Sequence, residues 1–245
     1  MSEKKPLEVL IINRKEDDRQ EWLALPTDTD KVRALFDRLG IDPVSRSQGP
    51  KANYYISTAE NLPFPELDAV IGKPDTIDGL NWLASRLEAL DETELATVRA
   101  AMAVGDYYRV SDVIDLTYNT EFYVLIPDAH TEMQLGHYYL YDSGMVQMPE
   151  DWKLTVDEWA LGIHIMEQEH GHFTPQGYLV ESGDEWKQVC DKENIPEEYK
   201  AEFGKPSPAK EKASIHDALK QSGQPGKEAP AKGKPPKHKQ HGPEL

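Results

Sequence analysis

The chain has 245 residues, of which 38% are hydrophobic, enough to build a packed core. Its lone cysteine, Cys190, excludes an intramolecular disulfide and a cysteine-rich zinc module and fits a reducing cytoplasm. A net charge of -17 sets the body against direct nucleic-acid binding, because it repels phosphate.

The first apolar run, residues 7–12, is broken by Glu8 and is too short for a signal peptide. No other run approaches a membrane span, so the expectation is a cytoplasmic protein that does not enter a membrane. EVLIIN and EWLALP read as two short strands around the polar hinge at residues 14–19. Residues 28–39 then place Val32, Leu35, Phe36 and Leu39 at helical spacing, with Gly40 as the stop. After a loop rich in Ser, Gly and Pro at residues 43–50, NYYIST reads as a third strand. A Pro-punctuated connector with one helical turn follows.

From Thr76 the pattern becomes helical. Ile77, Leu80, Leu83, Leu87 and Leu90 form an apolar stripe behind a Thr N-cap. Asp91 and Glu94 form a capping box for the next helix, whose predicted buried side is Leu95, Val98 and Met102. The two helices are expected to pack as an antiparallel pair. A short helix is predicted near residues 111–116, a strand at EFYVLI, and a helix begun by Thr131 with Gln134 as its capping partner. Thr155 and Glu158 suggest another capping box, before a buried stripe of Val156, Trp159, Ala160, Ile163 and Met166. HFTPQGYLVES reads as a closing hairpin.

Beyond residue 187, Pro, Gly and Lys dominate, which predicts disorder with at most a short helix at residues 214–220. The reading is an elongated α+β protein. It comprises an N-terminal α/β domain (1–74), a central helical domain (75–118), an acidic C-terminal α/β domain (119–186), and a linker with a disordered Lys/Pro-rich tail (187–245).

Charge is partitioned along this order. Residues 205–245 hold 9 Lys and 4 acids, leaving 18 basic and 40 acidic residues elsewhere, a net of -22. Residues 1–109 carry 14 basic and 20 acidic side chains, whereas residues 110–186 carry 15 acids against the single Lys153. Salt adaptation would acidify a surface more evenly, and a soluble surface normally mixes both signs because a one-sign field repels itself. Duplex DNA carries one negative charge per about 1.7 Å of axis, whereas one carboxylate per helical turn gives one per about 5.4 Å. About three acidic elements side by side would match it, and helices and loops from residues 111–169 can supply them. If every excess charge were used, -22 would correspond to about 37 Å of duplex, roughly doubled in a two-fold dimer.

Enzyme signatures are absent: there is no GxSxG, no Gly-rich phosphate loop, and Cys190 lies beside Asp191, which disfavours a thiolate. HIMEQEHGHF brings His164, His170 and His172 close in sequence, but without the HExxH spacing of zinc proteases. These three histidines are the only candidate metal set, and with them a small metal-dependent hydrolase is the alternative of another class; no cofactor is expected. The pairs Tyr54-Tyr55, Tyr107-Tyr108 and Tyr138-Tyr139 lack the Lys and Arg that base stacking requires around them, and read as packing.

The opening strand pair and helix, NYYISTAENLPF, TIDGLNWLASRLEALDE and DEWALGIHIMEQEHGHFTPQGYLVES together resemble the ArdA antirestriction family over roughly residues 7–182. The resemblance implies a non-enzymatic, dimeric, three-part α/β protein of conjugative plasmids and transposons that mimics bent B-form DNA. It would act in the bacterial host cell on the methyltransferase core of type I restriction-modification enzymes. Carboxylates would then stand in for phosphates; the resemblance carries over no individual contact residue, and the charge distribution itself puts forward Asp112, Asp115, Glu121, Asp128, Glu132, Asp142, Glu150, Asp151, Asp157, Glu158, Glu167 and Glu169. Other targets compatible with the same surface are a CRISPR effector or another defence nuclease, and protein contacts unrelated to mimicry would leave the acids dispersed. Arg14, Lys15, Arg19, Lys31, Arg33 and Arg38 would interrupt a phosphate-like ribbon, and the basic tail lies outside the resemblance.

Overall fold

Residues 7–41, 53–72, 75–191 and 194–202 are described by a computed structural model. Strands β1 (Leu7–Asn13), β2 (Gln20–Leu25) and β3 (Tyr54–Glu60) form an antiparallel sheet in the order β2-β1-β3. Val9 pairs with Leu23 and Ile11 with Glu21, so alternation sends Val9, Ile11, Leu23 and Leu25 into the core. There they meet Val32, Leu35, Phe36 and Leu39 of helix α1 (Thr29–Leu39). Asp28 caps α1 by accepting from the Lys31 N–H, and Gly40 ends it at φ 68, a left-handed conformation that costs glycine little.

Three of the six N-terminal cations are paired with nearby carboxylates. Arg38 donates to both oxygens of Glu21, Arg19 pairs with Glu16 at 2.6 Å, and Lys31 approaches Asp28 at 3.6 Å. The Arg38 guanidinium holds the Glu21 carboxyl below its usual range.

Helices α2 (Ile77–Ala89), α3 (Glu92–Val104) and α4 (Val110–Thr117) follow. Thr76 caps α2, and the Asp91–Glu94 box caps α3 with both reciprocal bonds made, at 2.8 and 2.9 Å. The α2 stripe is buried throughout, but the expected α2–α3 pair does not form: α2 packs on α4, while α3 packs on α4 and the second sheet. Leu90 and Asp91 are extended, with ψ 140 and 176, which turns α3 away from α2. Val98 is buried as expected, whereas Leu95 and Met102 are half-buried.

The second sheet, order β4-β6-β5, is antiparallel and contains β4 (Tyr123–Ile126), β5 (His172–Thr174) and β6 (Gly177–Glu181). Helix α5 (Glu132–His137) runs into one π-helical turn at Tyr138–Asp142, and α6 (Glu150–Lys153) and α7 (Glu158–Glu169) complete this half. Two local expectations for α7 are corrected. Asp157, not Thr155, caps it, because its carboxylate reaches the Ala160 N–H. Its most deeply placed residue is Gly162 rather than the Trp159 stripe, and Trp159 is 52% exposed. A Cβ on Gly162 would lie 1.8 Å from the Glu132 carbonyl oxygen, and one on Gly136 equally close to that of Glu158. Helices α5 and α7 thus cross backbone to backbone, which only glycine permits.

Residues 187–202 overturn the expected linker. The described part forms a strap that returns to α1, α2 and α4. The Lys187 N–H donates to Asn119, and the Val189 and Cys190 N–H groups donate to Asp115 Oδ1 at 2.7 and 2.6 Å. Ile195 is buried, and Tyr199 stacks on Trp82 at 5.3 Å with an interplanar angle of 11°. The Ala201 and Glu202 N–H groups end the strap on Asp78 Oδ1. Low apolar content misleads here because single side chains dock into prepared places, while buried carboxylates satisfy the backbone. The helix expected at residues 214–220 lies outside the described residues.

Candidate acidic interface

The acidic stretch is distributed over α4, the turn before β4, α5, the π turn, α6 and α7, so several elements carry the charge. Its own core is small: Ile126, Ala129, Leu135 and Tyr178, flanked by half-buried Tyr138, Tyr139, Ile165, Met166, Phe173 and Val180. Most of its polar side chains therefore face outward.

Seven of the twelve singled-out carboxylates are exposed: Glu121, Asp128, Asp142, Glu150, Asp151, Asp157 and Glu167. Among the described residues, Glu121, Asp128, Asp142, Asp151 and Glu167 engage no side-chain hydrogen bond or ion pair. Lys153, the single cation of the stretch, approaches Glu150 at 3.0 Å and lies over the Tyr141 ring. Four carboxylates are half-buried: Asp112, Glu132, Glu158 and Glu169. Asp112 Oδ2 accepts from the Arg109 N–H and closes the N-terminus of α4; Glu158 lies 3.2 Å from His137 Nδ1. Tyr139 donates to Glu169 Oε1 at 2.6 Å; burial, with the carboxylate next, pushes the Tyr139 hydroxyl well above its ordinary pKa.

Asp115 leaves the set. It is 4% exposed, and its oxygens are committed to the Val189 and Cys190 N–H groups and to the Gln188 amide. A carboxylate satisfied in this way positions the strap and cannot present a charge to a partner. Conversely, Glu181, Asp184 and Glu185 are exposed in the same stretch. They were counted in the charge imbalance without being singled out, and that count was the signal that could have found them.

The three histidines do not converge. His170 and His172 line one cleft beside Glu169 and Glu181, whereas His164 lies on the exposed side of α7 away from it. Among the described residues no group of three or more His, Cys, Asp or Glu side chains is arranged to hold a metal ion.

The sequence profile of the antirestriction protein (ArdA) family matches residues 18–180, about two thirds of the 245-residue chain. The chain belongs to the ArdA antirestriction family. No curated protein matches it. Membership brings an antirestriction function and dealings with restriction enzymes in general. The matched region of this ArdA member contains all twelve candidate carboxylates and ends before the strap. No helix among the described residues is long and apolar enough to cross a membrane.

Proposed function

We propose that this ArdA member is a DNA mimic that inhibits type I restriction-modification enzymes by occupying the basic cleft of their methyltransferase core. The reading rests above all on one observation. Residues 110–186 display carboxylates on several elements with one counter-cation, and five of the twelve singled-out carboxylates are exposed without a side-chain hydrogen bond or ion pair. Such a field raises the cost of folding through self-repulsion, and a basic cleft is the partner that would relieve it.

No chemical step is involved. The carboxylates take the positions of phosphates, the basic side chains of the target release the ions around them, and DNA is excluded by competition. With Asp115 withdrawn, the net charge of residues 110–186 falls from -14 to -13, equivalent to about 22 Å of duplex at about 1.7 Å per charge. A homodimer would double that length. Trp152, Leu154 and Trp159, at 67%, 79% and 52% exposure, are the side chains best suited to a contact between protomers, since large exposed apolar groups mark association surfaces.

The experiment is a titration of a type I methyltransferase bound to labelled DNA at low salt. Full-length protein is expected to displace the DNA stoichiometrically. Retention of the DNA at excess protein would refute the mimic.

A further inference from the structure

A cleft of about 300 Å³ opens where α3 and α7 both end, against the second sheet. Val104 and Gly105 come from the end of α3, Glu169 and His170 from the end of α7, and Tyr123 and Glu181 face each other across β4 and β6. A helix C-terminus carries partial negative charge and carbonyls without intrahelical donors, and is commonly balanced by Lys or Arg in its last turn. Neither α3 nor α7 has a basic residue in its last turn. Two helix ends and the residues Glu169 and Glu181 therefore line one recess that contains no Lys or Arg.

Its carboxylates are placed by neighbours. Tyr139 fixes Glu169 through Oε1, and the second oxygen of Glu169 has no hydrogen-bond partner. Glu181 lies beside the Tyr107–Tyr123 pair, whose hydroxyls are 2.8 Å apart; burial first, and Glu181 in addition, raise both hydroxyls above their ordinary pKa. Leu179, on the same face of β6 as Glu181, gives the recess an apolar wall.

We propose that this cleft receives an arginine side chain of the target enzyme, so that the acidic surface is completed by one recessed anchor. The inference rests on the mimic reading. A guanidinium is planar and carries five donors, which matches acceptors distributed over the Glu181 carboxylate and two helix ends better than the compact ammonium of lysine does. Its methylene stem would lie along the apolar wall, and the volume, at the lower end of ligand pockets, suits one side chain. DNA-binding clefts are lined with arginines that otherwise grip phosphate, and a recess converts one such contact into a buried anchor.

The test is an NMR titration of the full chain with N-acetyl-arginine amide and, separately, N-acetyl-lysine amide. The arginine amide is expected to shift Tyr123, His170, His172 and Leu179 and to bind at least about tenfold more weakly to Glu181→Gln, which loses a charge-assisted bond. Glu88→Gln, an exposed change on α2 outside the acidic stretch and the cleft, is expected to bind it unchanged. Equal affinity for the lysine amide, absence of shifts in the cleft, or an equal loss in Glu88→Gln would overturn the assignment. Enzyme competition without arginine-amide binding removes the anchor alone, whereas amide binding without competition removes the mimic on which its partner depends.

Discussion

Asp115 and Glu150 belong to the same acidic stretch, yet the first is 4% exposed and the side chain of the second is 79% exposed. The strap and the acidic interface are built from the same residue type used in opposite ways. At the strap, Asp78 and Asp115 are buried and accept backbone N–H groups from residues far away in sequence, so their charge is spent inside the molecule. At the interface, Asp128, Asp142, Asp151 and Glu167 are exposed, without hydrogen bonds or ion pairs from their side chains, and their charge is presented outward. The N-terminal region shows a third arrangement, in which exposed charges are neutralised in place by Arg38–Glu21 and Arg19–Glu16. Net charge alone does not separate these roles. Burial and partnering do.

The largest effect on stability is expected at Asp115. Asp115→Ala removes the acceptor for two backbone N–H groups and is expected to cost about 3 kcal/mol in urea unfolding, with faster amide exchange at Val189 and Cys190. At a temperature where the variant remains folded, DNA competition should stay within about twofold of wild type. A competition loss matching that of surface substitutions would break the division between the two regions.

A smaller effect with a defined sign is expected at Asp78. Burial raises its carboxyl above the usual value of 3.8, so the folded state holds that proton more tightly than the unfolded state does. Stability from this group is therefore full at pH below the unfolded value and is lost as pH rises through the raised folded value. Asp78→Asn keeps an oxygen to accept from Ala201 and Glu202 and removes the buried charge. Its stability relative to wild type should grow as pH rises through that window, measured by thermal unfolding. A difference independent of pH would show that Asp78 is not the group responsible.

Much of the fold was legible because its signals are local. Thr76, Asp91 and Thr131 each cap the helix that follows them, and alternation along β1 and β2 marks the buried faces. The strap was not legible. Val189, Ile195, Tyr199 and Ala201 have no common period, and their partners Asp115, Trp82 and Asp78 lie more than 70 residues away. For the same reason Asp115 looked like its exposed neighbours, although Ile114 and Leu116 on either side of it are both buried. The charge partition survived the loss of one residue because it counts a stretch. The proposed arginine cleft had no sequence signature, since its lining joins the ends of α3 and α7 to the second sheet.

The most direct test measures affinity for a type I methyltransferase across a series of salt concentrations. Wild type would be compared with a variant carrying Glu150→Gln, Asp151→Asn, Asp157→Asn and Glu167→Gln. Wild-type affinity should fall steeply with salt; the variant should bind at least about tenfold more weakly at low salt, with a shallower slope. Equal affinities and equal slopes for the two proteins would contradict a function carried by the exposed carboxylates.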